Sequence, residues 1–307
     1  MTNPDSSQRP ADAAAQAKLM LVLLCCVWGT AWPIMKIALE QIPPFGMRAA
    51  SAGLGAVALY ILCRLTGCSL RINTAKAWAH IVTASMLNIV GFSIFTAFAQ
   101  LATATSRVTI LAYTLPIWSV LLLWLFLGER PTLAQTLALG LCAAGLGILV
   151  YPLAATGVPV GILFAVGAAI SWAAGTVYLQ WAHIKADPTV VACWQVIIAF
   201  FVIAACTLFF EGRLDLSRAH ASGLIATLFV GLVSNGFAYG LWFTIIRRLP
   251  AMTASLGVLG SPVIGIAASM LILGERPTAT DFVGFALIFA ASACVLLTRQ
   301  APVEATP

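Results

Sequence analysis

Asn88, Phe92 and Phe95 stand at i, i+4 and i+7, so on a helix one amide and two aromatic rings share a face. Asn235, Tyr239 and Trp242 repeat the arrangement 147 positions later. Side chains of these types hydrogen-bond and stack, which is the chemistry of recognition. Trp28 and its counterpart Trp172, 144 positions on, fall near the middle of apolar runs and join the candidate binding wall, as does Tyr113. The plainer alternative is that each Asn bonds a neighbouring helix, at about 0.6 kcal/mol on average in membranes, and that each Trp only packs.

Catalytic patterns are missing. There is no G-x-S-x-G, no H-E-x-x-H, and no paired carboxylate or His deep in an apolar run. An intramembrane enzyme is therefore disfavoured, and no cofactor or metal is expected. The cysteines form no C-x-x-C; Cys25, Cys26, Cys142, Cys193, Cys206 and Cys294 lie in apolar runs and read as buried small hydrophobes.

The elements that carry these residues must be membrane helices. Residues A, V, I, L, M, F, W, Y and C make up 61% of the 307, only 8% are charged, and mean hydropathy is +1.00. A soluble domain holds about 25% charged residues, so the bilayer must solvate most of this surface. Ten apolar stretches of spanning length follow, at 19–39, 45–65, 77–99, 105–127, 132–151, 159–182, 188–210, 220–246, 251–273 and 279–298. Short Pro- and Gly-marked turns separate them, so consecutive helices pack antiparallel. The first run has no cleavage site after it and reads as a retained span. The net charge of +6 is scattered singly, unlike a nucleic-acid patch.

Loop cations set the orientation. With the N-terminus cytoplasmic, Arg9, Lys18, Arg64, Arg71, Lys76, Arg130, Lys185, Arg247, Arg248 and Arg299 fall inside, against Arg213, Arg218 and Arg276 outside. Both termini are then cytoplasmic, as in an integral protein of a bacterial inner membrane.

Leu127–Thr132 and Leu273–Thr278 both read Leu-Gly-Glu-Arg-Pro-Thr, 146 positions apart. Pro116 matches Pro262 at the same offset, and Pro44 matches Pro188 at 144. The chain thus reads as a polar N-terminal tail (1–18), a five-helix repeat (19–152), a second five-helix repeat (153–299) and a disordered tail (300–307). An odd number of spans per repeat inverts the second against the first, the pattern used for alternating access. The fold class is all-α integral membrane, ten transmembrane helices in two inverted five-helix repeats.

Within that frame Pro116, Gly260 and Pro262 read as hinge residues, with Gly257 and Gly265 loosening span 9; a static bend is the alternative. Glu129, Arg130, Glu275 and Arg276 read as structural, closing helices and pairing with adjacent loops. Lys36, Arg48 and Arg107 approach hydrocarbon depth near the outer ends of their spans. They either snorkel or pair, Glu40 being one partner, or Arg48 or Arg107 draws a substrate carboxylate to the outer mouth. The rows Gly140/Ala144/Gly147 and Ala286/Ala290/Ala293 allow spans 5 and 10 to pack closely, within a monomer or across a weak homodimer.

Val27-Trp28-Gly29-Thr30, Lys36, Pro43-Pro44, Arg48, Pro116 and Leu127-Gly128-Glu129-Arg130, then Pro262 and Leu273-Gly274-Glu275-Arg276, resemble in order and spacing the EamA-type members of the drug/metabolite transporter superfamily. Among these the chain is most similar in style to YddG-like amino-acid exporters. The resemblance covers about residues 19–298 and implies ten helices, a cavity between the halves and export of small metabolites. The second half lacks counterparts of Lys36 and Arg48, so the site should be asymmetric. The expectation is a secondary transporter of neutral or aromatic amino acids that works as a facilitated exchanger or uniporter, since no Asp or Glu lies deep in a span. A multidrug or cationic-compound exporter is the rival within the class. A channel or intramembrane enzyme is the rival outside it.

Overall fold

The structure, a computed structural model, describes residues 8–154, 159–212, 219–248 and 257–298. Among these the regular elements are helical. They are α1 (Gln8–Leu39), α2 (Pro44–Leu65), α3 (Ala75–Ala102), α4 (Thr105–Leu127), α5 (Leu133–Ala154), α6 (Val160–Ala182), α7 (Pro188–Glu211), α8 (221–248), α9 (Gly260–Leu273) and α10 (Ala279–Thr298). Nine of these are long and apolar enough to cross a membrane. Helices are what such sequences can form in hydrocarbon, because each backbone N–H and C=O is then paired within its own segment. At 14 residues α9 is short; residues 251–256 of the span expected there lie outside the described residues, as do Arg213, Arg218, Arg299 and the tail 300–307.

Neighbour relations are those of two five-helix units exchanged by an approximate twofold. α1 packs on α9 as α6 packs on α4; α2 packs on α8 as α7 packs on α3; and the pairs α2–α7 and α5–α10 map onto themselves.

The doubled hexapeptide is a complete helix–turn–helix joint. Gly128 and Gly274 close α4 and α9 in the left-handed conformation, at φ +72° and +68°, which glycine adopts without a Cβ penalty. The next residue's N–H, from Glu129 or Glu275, reaches back to the carbonyl of Leu123 or Ser269. Thr132 and Thr278 then cap the following helices. Thr132 exchanges bonds with Gln135, and Thr278 exchanges them with Asp281, in two capping boxes.

Several expectations are corrected here. Pro116 does not kink a continuous helix: α4 breaks at Tyr113–Thr114, and Pro116 lies in the first turn of the second piece, Leu115–Leu127. Pro262 likewise lies in the first turn of α9. The N–H groups of a first turn have no intrahelical acceptor, so neither proline costs a bond. Nor do the glycines loosen α9. A Cβ on Gly257 would meet Leu21, one on Gly260 would approach Cys25, and one on Gly265 would meet Thr109, so these glycines let α1 and α4 approach closely. The α5–α10 contact is built by Gly145 against Ile288 and Gly284 against Leu149. A Cβ added at Gly140 or Gly147 would meet nothing within 4 Å, and Ala286 and Ala290 are exposed, so these members of the small-residue rows do not form that contact. Of the cysteines, none of which is in a disulfide among the described residues, Cys26 is exposed and not buried.

Candidate substrate-binding cavity

Two stretches of π-helix interrupt the bundle at related places: Met86–Gly91 in α3 and Phe229–Phe237 in α8, holding Asn88 and Asn235. A π turn inserts an extra residue, shifts the faces on either side of it and leaves backbone carbonyls to be satisfied from outside. Side chains supply the donors. Ser171 Oγ donates to the Leu87 carbonyl at 2.7 Å, and Trp28 Nε1 donates to the Ser234 carbonyl at 3.3 Å.

The shifted register changes what Asn88 meets. Asn88 is only 6% exposed; its Nδ2 donates to Gln195 Oε1 of α7 at 3.2 Å. Ser85 holds the Gln195 carbonyl at 2.7 Å. On its other side the Asn88 amide lies against Gly175 of α6, where a Cβ would fall 2.3 Å from Oδ1. Asn88 Oδ1 is buried and has no hydrogen-bond partner.

This amide pair forms part of the wall of a cavity of about 300 Å³. Trp172 and Tyr239 supply its aromatic surfaces, and Val191, Ala192 and Val196 of α7 its apolar side. It reaches Ile184, Ala186 and Pro188 at the α6–α7 connection. The lining contains no charged residue. The volume falls at the lower end of small-molecule pockets, about 300–1,000 Å³.

Aromatic partners extend the wall in a twofold-related way. Phe92 meets Trp172 edge-on at 4.9 Å, and the related pair Tyr239–Trp28 stands at 6.0 Å. Trp242 lies 6.0 Å from Trp28. Of the residues singled out in the sequence, Asn88, Trp172 and Tyr239 line the cavity, while Trp28, Phe92 and Trp242 form the layer around those rings. Asn235, Phe95 and Tyr113 do not line it. Asn235 packs on Gly55 of α2, and Phe95 packs on Phe164 and over Gly167. Tyr113, at the break in α4, lends its carbonyl to Ser292 at 3.0 Å. The helical-face rule that grouped Asn88 with Phe95 assumed an unbroken α-helix, which the π turn removes.

Gln195, Gly175 and Ser171 escaped the sequence reading. A lone Gln in the apolar run Val190–Phe201 was the available signal, because a buried amide in hydrocarbon requires a partner.

The opposite end of the bundle, where α1, α3, α7 and α9 finish, is tied together. Glu211 accepts the Phe45 and Gly46 N–H groups at the start of α2, at 2.8 and 2.7 Å. Glu275 accepts those of Thr105 and Ser106 at the start of α4, at 2.5 and 2.9 Å. Each carboxylate sits on a helix N-terminus, where the backbone dipole favours negative charge. Glu275 thus binds the start of α4 instead of pairing with a loop cation, while Glu129, Arg130 and Arg276 are exposed. Gln41 joins the end of α1 to His220 and Ser222.

The three deep cations differ. Arg107 makes a two-pronged ion pair with Asp281, at 2.8 and 3.1 Å. Lys36 donates to the Gln100 carbonyl at 2.7 Å and lies 3.6 Å from Glu40. Arg48 does not snorkel: it is 8% exposed, and its Nη2 donates to Thr96 Oγ1.

The model of the EamA-like transporter family matches residues 16–151 and 159–297. The chain belongs to that family. Its curated relatives include an uncharacterized transporter, YoaV, of Bacillus subtilis, 24% identical over 88% of this chain and 93% of its own length. A probable terminal-alkyne amino-acid exporter of Streptantibioticus cattleyicolor is 23% identical over 89% and 91%. A probable amino-acid metabolite efflux pump of Escherichia coli is 23% identical over 88% and 91%. A solved crystal structure of a protein 20% identical, covering 93% of this chain and 99% of that one, agrees with TM-score 0.64, a likeness of fold. The chain is therefore an integral membrane protein of a transporter family, with nine helices of spanning length and the shorter α9 among the described residues.

Proposed function

We propose that this EamA-family chain is a secondary carrier that exports small neutral or aromatic amino acids by alternating access. The observation that carries the reading is the cavity, in which the Asn88–Gln195 amide pair faces Trp172 and Tyr239 with no charged side chain in the lining. Amides orient a zwitterion, and the rings offer faces to its side chain or, by cation–π attraction, to its ammonium group. A dedicated cation pump would be served by an acidic residue there, and a sugar-phosphate carrier by several cations. The names of the Streptantibioticus and Escherichia relatives point toward amino acids as well.

The cavity opens at the α6–α7 connection, and the carboxylate-capped end is tied shut. With both termini cytoplasmic in a bacterial inner membrane, this is an inward-open arrangement that loads from the cytoplasm. The lining holds no Asp, Glu or His, which favours a facilitator or exchanger over a proton-driven pump. The two units are assigned to 19–152 and 153–299, and the carrier works as a monomer or weak homodimer.

Counterflow in proteoliposomes against amino acids, nucleosides and cationic dyes tests this function. Saturable counterflow of neutral or aromatic amino acids is the expected result. Exchange confined to dyes or nucleosides would overturn the substrate class, and strong acceleration by an imposed proton gradient would overturn the facilitator.

A further inference from the structure

The cavity lining carries no cation, yet an amino acid carries a carboxylate across the whole bundle. Arg48 is 92% buried and has no acidic partner among the described residues. Its Nη2 donates to the neutral Thr96 hydroxyl, and its Nε, buried, has no hydrogen-bond partner. A guanidinium stays charged at any physiological pH and presents five N–H donors in a fork that fits a carboxylate. The other two deep cations already have their anions: Arg107 has Asp281, and Lys36 has Glu40. Only Arg48, of these three, is left with a charge that nothing balances.

Its place along the bundle adds to its isolation. Thr96 lies eight residues from Asn88 on α3, about 12 Å at ~1.5 Å per residue, toward the carboxylate-capped end. Phe45, three residues before Arg48 on α2, meets Phe98 of α3 at 5.6 Å, so α2 and α3 are in contact on both sides of the Arg48–Thr96 bond. On the transport reading, a solute moving from the Asn88–Gln195 wall toward that end passes the level of Arg48.

We infer that Arg48 is the carboxylate subsite of this carrier, a second station that accepts the anionic group of a monocarboxylate solute as it leaves the Asn88–Gln195 cavity. One guanidinium beside a neutral hydroxyl suits a singly charged carboxylate; a dianionic phosphate would call for more cations than Arg48 supplies. The inference rests on the transport reading for its route but not for its binding chemistry, so the two are tested separately.

The probes are phenylacetate and its neutral isostere phenylacetamide, read by thermal shift of the purified full-length protein in detergent. Phenylacetate should stabilise the wild type, saturably and more than phenylacetamide at equal concentration. Arg48→Gln should weaken the phenylacetate response about tenfold or more, the loss of a charge-assisted bond, and leave the phenylacetamide response unchanged. Arg48→Lys should recover part of it. If Arg48→Gln does not fold, the wild-type comparison decides alone: equal responses to acid and amide overturn the subsite. Arg48→Gln binding phenylacetate as tightly as the wild type also overturns it. Counterflow of L-phenylalanine, measured in parallel, separates the two claims. Selective, Arg48-dependent carboxylate binding without counterflow sinks the transport reading and keeps the subsite. Counterflow insensitive to Arg48→Gln keeps transport and sinks the subsite.

Discussion

Asn88 and Gln195 join α3 to α7 by one amide–amide bond of 3.2 Å at the wall of the cavity. Both partners are pinned from behind: Gln195 through Ser85, Asn88 by its seat over Gly175. A wall fixed in this way presents its remaining amide groups in a set orientation, so the pair should act as a unit. Asn88→Ala and Gln195→Ala should each weaken the counterflow half-saturation of the best amino acid by about tenfold, the worth of one or two hydrogen bonds. The double variant should be hardly worse than either single one, because neighbours in one bond do not add. Additive losses would show that the two residues act separately.

Gly175 gives an independent handle on the same wall. A Cβ there would fall 2.3 Å from Asn88 Oδ1, closer than atoms can approach, so the amide must move. Gly175→Ala should therefore lower stability by about 1–3 kcal/mol, the usual cost of overpacking, and impair transport as Asn88→Ala does. Gly147→Ala, where the added Cβ would meet nothing within 4 Å, should leave both unchanged. Thermal unfolding with counterflow on each variant is the check; normal transport by Gly175→Ala would mean the Asn88 position is unimportant.

These relationships also mark what could be read in the chain beforehand. The spans, the doubled joint and the pairing of Trp28 with Trp172 follow from apolar length and from residue type at fixed offsets, and the helix packing agrees with them. Asn88, Trp172 and Tyr239 were legible because polar and aromatic groups at membrane depth need a reason to be there. Their counterparts Phe95 and Asn235 were misplaced because a π turn re-registers a helix, and no residue type announces one. Gln195 was overlooked since its partner lies 107 positions away. A longer separation, 174 positions, hides Asp281 from Arg107: the capping box at Thr278 is local, but the cation it recruits comes from the other half of the chain.

That recruitment has a measurable consequence. Gln135 and Asp281 occupy equivalent places in the two capping boxes, but only Asp281 can pair with a cation as well as cap. Its side chain is 7% exposed and that of Arg107 20%. Asp281→Ala should destabilise the protein strongly, toward the lower end of the ~3–5 kcal/mol seen when one partner of a buried pair is removed. Gln135→Ala should cost only a cap, about 1 kcal/mol. Substrate preference should not change in either variant, since both residues stand away from the cavity. Urea or thermal unfolding of the two single variants would expose the asymmetry, and equal losses would count against the ion pair.

The two glutamates of the repeated hexapeptide make the sharpest comparison, because their local sequences are identical. Glu275 turns inward and accepts two backbone N–H groups at the start of α4, a charge-assisted contact on a helix N-terminus. Glu129 stands exposed at the other end of the bundle. Glu275→Gln keeps the shape and one acceptor oxygen but loses the charge and one of the two bonds, so about 1–3 kcal/mol of stability should go with it. Glu129→Gln, a surface change, should stay within about 0.5 kcal/mol. Since α4 begins where Glu275 holds it, loosening that hold should also ease opening of the capped end. A cysteine placed at Ser106 in the Glu275→Gln background should react faster with a membrane-impermeant thiol reagent than the same cysteine in the parent. Identical labelling rates, alongside the stability loss, would make Glu275 a static brace and leave the opening of that end to other contacts.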